Sequence, residues 1–263
     1  MHGIVQSVHH VSPHLIRVVL GGPGLADFKA DKDADSYVNL AFPGTDAPYE
    51  MPCDLKATRD LPRAQQPVRR RYTVRAWDAE TRHMSIDFVV HGDEGVAGPW
   101  AARAKPGDVL QFQGPGGGYS PKPTADWHLL VGDGSAIPAI SVALERLAPD
   151  ATAYVFLEAE TTDDEIDLAS PANVQITWVS TSVDGAALVD AVRKADLPSG
   201  QLHGFIHGEA AMVRGMRWHL IKERGVDAFA LSATPYWRTG HTDEAWRSVK
   251  KEWLGQQKAA EKA

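Results

Sequence analysis

Residues Trp127–Leu147 read WHLLVGDGSAIPAISVALERL. The first part is an apolar run that enters a glycine turn, as expected of a strand buried on both faces. From Ser135 onward the period changes, and Ile137, Ile140, Leu144 and Leu147 recur on one face of a helix. A buried strand feeding directly into a helix opens a parallel α/β unit. The pattern continues downstream. TAYVFLEAE (Thr152–Glu160) and VQITWVS (Val174–Ser180) read as strands and GAALVDAVRKA (Gly185–Ala195) as a helix. LHGFIHGEA (Leu202–Ala210) is a strand, MVRGMRWHLIKERG (Met212–Gly225) a helix, and DAFALSA (Asp227–Ala233) a last strand. This alternation predicts a parallel sheet with helices on both faces. Beyond Gly240, the spacing of Trp246, Val249, Trp253 and Leu254 predicts a C-terminal helix.

Upstream the chain changes character. Gly3–Gly22, Ser36–Gly44, Arg70–Asp78, His83–Gly92 and Asp108–Gly118 are short segments rich in β-branched and aromatic residues, closed by Gly or Pro. Val96–Lys105 reads as a short helix, and Thr45–Pro67, with four prolines and no period, as a loop. Short strands with frequent turns predict a small antiparallel barrel. The fold class is therefore a β barrel followed by an α/β domain and a C-terminal helix. The boundary is expected in the Pro-rich SPKPTADW (Ser120–Trp127), giving domains 1–123 and 124–263.

Composition narrows the function. The 263 residues carry a net charge of −7, so bulk affinity for nucleic acid or anionic membrane is not expected. The N-terminus lacks the layout of a signal peptide and no apolar run approaches a membrane span, which points to the cytoplasm. The single cysteine, Cys53, excludes an intramolecular disulfide and a four-cysteine iron–sulfur cluster. His9, His10 and His14 suggest no ligand set, so no metal site is expected.

Three constellations carry chemistry. In RRRYT (Arg69–Thr73), an extended strand puts Arg70 and Tyr72 on one face and Arg69, Arg71 and Thr73 on the other. An Arg beside a Tyr can hold a pyrophosphate while the phenol ring covers a flat heterocycle, and a following hydroxyl can bond its edge. The same residues also suit a solvated basic strand. In HGDEGVAGPWA (His91–Ala101), glycines precede a helix start whose N–H groups and dipole attract phosphate. His91 shares a strand face with Asp87 and Val89. VGDGSAIPA (Val131–Ala139) resembles part of a nucleotide-binding turn, but Ile137 stands at the third glycine position. Glu158 and Glu160 end the next strand, where an acid can accept from a ribose and repel a 2′-phosphate. Arg247, Lys250 and Lys251 make a basic stripe on the C-terminal helix, either a solvated face or a site for an anionic ligand.

Together these segments resemble the siderophore-interacting protein family of the ferredoxin reductase superfamily. RRYTVR is similar to its R-x-Y-T/S-x-R strand, and DFVVHG followed by GVAGPWA to its strand and helix start. LLVGDGSAIPAI is similar to a segment usually written GDETALPAI, and FIHGEAAMVRGMRWHLIKERGV and TPYWRTG follow in order. The resemblance implies an FAD-dependent ferric-siderophore reductase using NADH or NADPH. It implies that Arg70 binds the pyrophosphate, Tyr72 stacks near the isoalloxazine and Thr73 contacts its N5 edge. Asp87, Val89, His91, Ala97, Trp100 and Ala101 would line the FAD site. Asp133, Ser135 and Pro138 would form the nicotinamide-side turn. Gly208 and Glu209 would sit at a neighbouring strand end, with Tyr236 and Trp237 approaching from the C-terminal segment. Arg247, Lys250 and Lys251 would attract an anionic ferric siderophore. Gly134 and Ser135 depart from the family's usual Glu and Thr. Trp178–Thr181 lacks a usual Arg, which favours NADH. A flavin reductase serving a small redox protein and a non-catalytic siderophore carrier remain as alternatives.

Overall fold

The structure, a computed structural model, describes residues 1–262. It contains two compact units, the first ending at Gly118 and the second beginning at Tyr119. The Pro-rich stretch thus opens the second unit. The reason is Tyr119, whose ring stacks on His203 at 4.9 Å and packs on Phe205 at 4.7 Å, joining the second core at once.

The first unit holds β1 (His2–Ser12), β2 (Leu15–Gly21), β3 (Tyr37–Phe42), β4 (Val68–Thr73), β5 (Ala76–Asp78), β6 (His83–Val89), α1 (Ala97–Arg103) and β7 (Val109–Gly116). The strands form one seven-stranded sheet in the order β4-β3-β7-β1-β2-β6-β5. Every neighbouring pair is antiparallel. The expected single strand Arg70–Asp78 is in fact two, β4 and β5, at opposite edges of the sheet and separated only by Val74 and Arg75. Val74 N donates to Ser36 O at 2.7 Å beside β3, and Arg75 N to Ser85 O at 2.9 Å on β6. Two residues can connect opposite edges only if the sheet curls until the edges meet, which makes the barrel. Alternate side chains fill its interior: Val18, Leu20, Val38, Leu40, Met84, Ile86, Phe88, Leu110 and Phe112 are buried in one cluster.

The segment before β4 is irregular, as expected, apart from two short 3₁₀ turns at Ala57–Asp60 and Arg63–Gln65. Gln111 of β7 pins it: its amide accepts from Cys53 N at 2.9 Å and donates to Cys53 O at 2.8 Å.

The second unit holds β8 (Trp127–Gly132), α2 (Ile137–Glu145), β9 (Thr152–Ala159), β10 (Asn173–Ser180), α3 (Ala186–Lys194), β11 (Leu202–Glu209), α4 (Ala210–Trp218), β12 (Leu231–Trp237) and α5 (Asp243–Lys262). Its five strands are all parallel, in the order β10-β9-β8-β11-β12. Trp127, Leu129, Val131, Leu202 and Ile206 point to the α3–α4 side, packed with Leu188, Val192, Met212 and Met216. Gly132, of opposite parity, lies under Ala136 and Ile140 of the α2 segment. The helix expected over Met212–Gly225 gives way at His219 to a wider π turn running to Glu223. The last strand is shifted from its expected place. Asp227 caps a 3₁₀ turn at Ala228–Ala230 by accepting from Phe229 N at 2.9 Å, so the strand starts only at Leu231. It therefore includes Tyr236 and Trp237. Among the described residues no helix is long and apolar enough to cross a membrane.

Candidate functional site

In the first unit, β4 is an edge strand whose register sets its two faces. Arg70 lies opposite Leu40 and Tyr72 opposite Val38, both fully buried, so this pair takes the barrel's inner side. Arg71 and Arg69 lie opposite Asn39 and Ala41 on the other face. There the Arg71 guanidinium sits 5.6 Å from the Tyr37 ring centroid and Arg69 donates to Gln113 Oε1 at 2.8 Å. Thr73, opposite Tyr37, ends the strand on that outer face, across from Tyr72. The Tyr72 ring is half-buried and rests on Phe88, with centroids 4.5 Å apart and planes tilted by 33°. Phe88 in turn meets Trp100 of α1 at 5.6 Å. An aromatic chain thus ties β4 to the start of α1.

That helix start is set by close backbone approach. A Cβ on Gly98 would stand 3.0 Å from the Val89 carbonyl, so glycine lets the first turn lie on the end of β6. Val96, at the N-cap, supplies no side-chain acceptor, and the N–H groups of Ala97 and Gly98 have no side-chain cap. Ala97 and Ala101 are buried in the barrel core, while His91 is exposed and stacks with His14 at 6.4 Å. Asp87 has another employment. Both its oxygens accept from Arg17, at 2.6 and 2.7 Å, across the β2–β6 ladder, and the carboxylate is buried. The side chain thus serves an ion pair that holds the barrel wall.

In the second unit, three carboxylates gather at the carboxyl ends of adjacent parallel strands, where ligands of open α/β sheets bind. Asp133 follows β8. Its Oδ1 accepts from Ser135 N at 2.9 Å and Ser135 Oγ at 2.5 Å. Its Oδ2 accepts from Glu209 N and Trp237 Nε1, both at 2.8 Å. Burial pushes this carboxyl above the usual range, while those hydrogen bonds favour its charged form. Gly208 makes the approach possible. Its φ of +133° suits glycine, and a Cβ there would run into Asp133 Oδ2.

Glu209 ends β11 and caps α4, accepting from Ala211 N and from Met212 N at 3.2 Å. Its other oxygen accepts from Thr239 N at 3.0 Å. Together Asp133 and Glu209 fix the segment from Trp237 to Thr239. Trp237 remains 44% exposed, and the Tyr236 ring lies 4.8 Å from buried His207. Glu158, near the end of β9, accepts from Ser182 N at 3.2 Å and Ser182 Oγ at 3.0 Å. Burial raises its pKa against the Ser182 bonds, and the charges of Asp133 and Glu209 raise it further. Glu160 is exposed, and Pro138 is buried in the first turn of α2.

The basic stripe of α5 divides. Lys250 turns inward and donates to Pro235 O at 2.6 Å. Arg247 pairs with Asp243 at 2.7 Å, and Arg247 and Lys251 share an exposed face. The motif reading missed Phe88, Ser182 and Thr239. Phe88 carries a signal, since alternation along HMSIDFV points it inward, but nothing local to Ser182 or Thr239 announces a carboxylate far away in sequence.

A model of the siderophore-interacting FAD-binding domain matches residues 4–119, and the siderophore-interacting protein model matches residues 125–240. The chain belongs to the siderophore-interacting protein family. Within that family it is 34% identical over 241 residues to the ferric vibriobactin reductase ViuB of Vibrio cholerae, covering 90% of this chain and 89% of that one. It is 29% identical over 238 residues to the NADPH-dependent ferric-chelate reductase of Escherichia coli, covering 89% and 91%. The siderophore-interacting protein SipS of Aeromonas hydrophila superposes with a TM-score of 0.82 at 31% identity, over 97% of this chain and 98% of that one.

The residues present fit the flavin of this family. A half-buried Tyr72 backed by Phe88 offers a flat wall, and Arg70 on the same strand face, with the uncapped start of α1, offers donors suited to a pyrophosphate.

Proposed function

We propose that this FAD-dependent oxidoreductase is a ferric-siderophore reductase that works in the cytoplasm, where NADH or NADPH is at hand. The observation that carries the reading is the Tyr72 wall on the Arg70 strand face, in a chain whose relatives include a ferric vibriobactin reductase. FAD, when bound, supplies the change from two-electron to one-electron chemistry. In balance, one NAD(P)H and two ferric chelates give NAD(P)⁺, one proton and two ferrous chelates. Fe(II), a softer and less charged ion, is held less tightly by anionic oxygens and leaves.

The chain's own residues bind and orient. Arg70 holds the pyrophosphate, Tyr72 covers one face of the isoalloxazine and Thr73, at the strand end, meets its edge. Val89, His91, Ala97, Trp100 and Ala101 shape the surrounding wall. Ser135 and Trp237 meet the nicotinamide donor, and Asp133 and Glu209 act by holding them and their segment rather than by touching the donor. Arg247 and Lys251, on the exposed face of α5, draw in an anionic chelate, while Lys250 anchors the helix. Glu158 favours NADH, in contrast to the donor for which the Escherichia coli relative is named.

An anaerobic visible spectrum tests the proposal. The purified protein should be yellow, bleach with NADH, and regain its colour when ferric siderophore is added, with Fe(II) trapped by a ferrous chelator. Absence of flavin, or flavin that stays reduced in the presence of ferric siderophore, overturns it.

A further inference from the structure

Between α4 and the end of α5 lies a recess of about 150 Å³, lined by Arg214, Trp218, Gln256, Gln257, Ala260 and Glu261. A volume of that size takes one benzene-sized ring and is too small for a dinucleotide or a chelate of several rings. Its charges are unevenly matched. Glu261 is fully engaged: its two oxygens accept from Arg217 Nε and Nη2 at 2.7 and 2.6 Å, which holds the carboxyl below its usual range. Lys222 Nζ donates to the Glu261 carbonyl at 3.1 Å and stands 5.9 Å from the Trp218 ring centroid. Arg214 lays its guanidinium on the Trp253 ring, 4.2 Å from the centroid, and among the described residues no carboxylate meets it. Its face is occupied, and its N–H edge remains for a ligand. Gln257 is only 5% exposed. Its Nε2 donates to Glu261 Oε1 at 3.0 Å, which fixes the amide, since a flipped one would set oxygen against a charged carboxylate. Oε1 is thereby left buried with no partner among the described residues. Trp218 completes the wall with a side chain that is 43% exposed.

We infer that this recess binds a small aromatic monocarboxylate that carries a hydroxyl. Each part of such a ligand answers one feature of the wall. The carboxylate takes charge-assisted hydrogen bonds from the N–H edge of Arg214, with Lys222 adding to the attraction. The ring lies along the Trp218 indole and covers apolar area that is open to water. The hydroxyl donates to Gln257 Oε1, an acceptor that is costly to bury unpaired. A bare anion such as phosphate would leave Trp218 and Gln257 unused, and an uncharged ring would leave Arg214 unpaired. In a chain of net charge −7, two cations without a carboxylate partner at one spot mark that spot for an anion. The inference rests on the α4–α5 geometry and is independent of the redox reading.

Equilibrium dialysis of the full-length protein, as purified, against the hydroxybenzoate isomers, benzoate and phenol tests this. At least one hydroxybenzoate should bind. Benzoate, which lacks the donor, and phenol, which lacks the carboxylate, should each bind about tenfold more weakly. Arg214→Gln and Trp218→Ala change exposed positions, so the far-ultraviolet circular dichroism spectrum should be unaltered while the best isomer binds about tenfold more weakly to each. NADH should not displace it. Failure of every isomer to bind overturns the inference, as does benzoate that binds as tightly as the best isomer. Binding that survives either substitution, or that NADH competes away, overturns it as well.

Discussion

Arg69 and Arg70 are neighbours of the same chemistry, yet the ladder sends them to opposite faces. Arg70 stands on the side of Tyr72, and Arg69 bonds Gln113 on the other. Arg70→Ala should therefore weaken flavin retention about ten- to a hundredfold, the roughly 1.5–3 kcal/mol of a charge-assisted hydrogen bond. Arg69→Ala should change it little. Equilibrium dialysis of flavin against both variants decides the matter, and equal retention removes Arg70 from the site. The parity of RRRYT was legible because alternation is a property of a strand by itself. The use of Asp87 was not, because its partner Arg17 comes from another strand and only the β2–β6 register makes them meet.

At the scale of elements, α/β alternation was readable from Trp127 onward because each strand and helix carries its own period. The split of β4 from β5 was not. The chain stays extended through Val74 and Arg75 while its hydrogen-bond partner changes, which leaves no mark in hydrophobic pattern. The division of the α5 stripe was not legible for a related reason: Lys250 falls at stripe spacing, but helix packing turns it toward β12. In the proposed reading, the strand ends of the second unit also bear on donor choice. Glu158, with Asp133 and Glu209 nearby, makes the carboxyl edge of the sheet acidic, and a 2′-phosphate there meets repulsion. The ratio of kcat/KM for NADH over NADPH should exceed unity and fall in Glu158→Gln. A wild-type preference for NADPH contradicts this assignment.

At the scale of the whole molecule, the second unit carries a pH liability. His203 and His207 are buried, and burial lowers their pKa values to about 4 and about 3. His203 Nδ1 accepts from Lys122 N at 3.2 Å, a bond that protonation of that nitrogen would destroy. For a histidine lowered from 6.5, the unfolded chain takes the proton first. The stability contribution is whole above pH 6.5 and is lost progressively as pH falls toward those lowered values. Down to pH 5 this amounts to about 2 kcal/mol per histidine, partly offset by Asp133 and Glu158, whose raised pKa values act in the opposite sense. The melting temperature should therefore drop between pH 7 and pH 5. His207→Phe should show a shallower drop than the wild type, and parallel curves for the two proteins would exclude His207 as a source.

The passage through Val74 and Arg75 has a consequence for how such a chain can vary. It acts as a stitch between the two borders of the barrel. A cut there would leave every ladder intact and still let the wall unroll into a ribbon with two raw margins, whereas a cut between residues 45 and 67 would open no seam. The two-residue stitch has no slack to lengthen or shorten, whereas changes at exposed positions of the long Pro-rich segment, away from its Gln111 anchor, leave the wall closed.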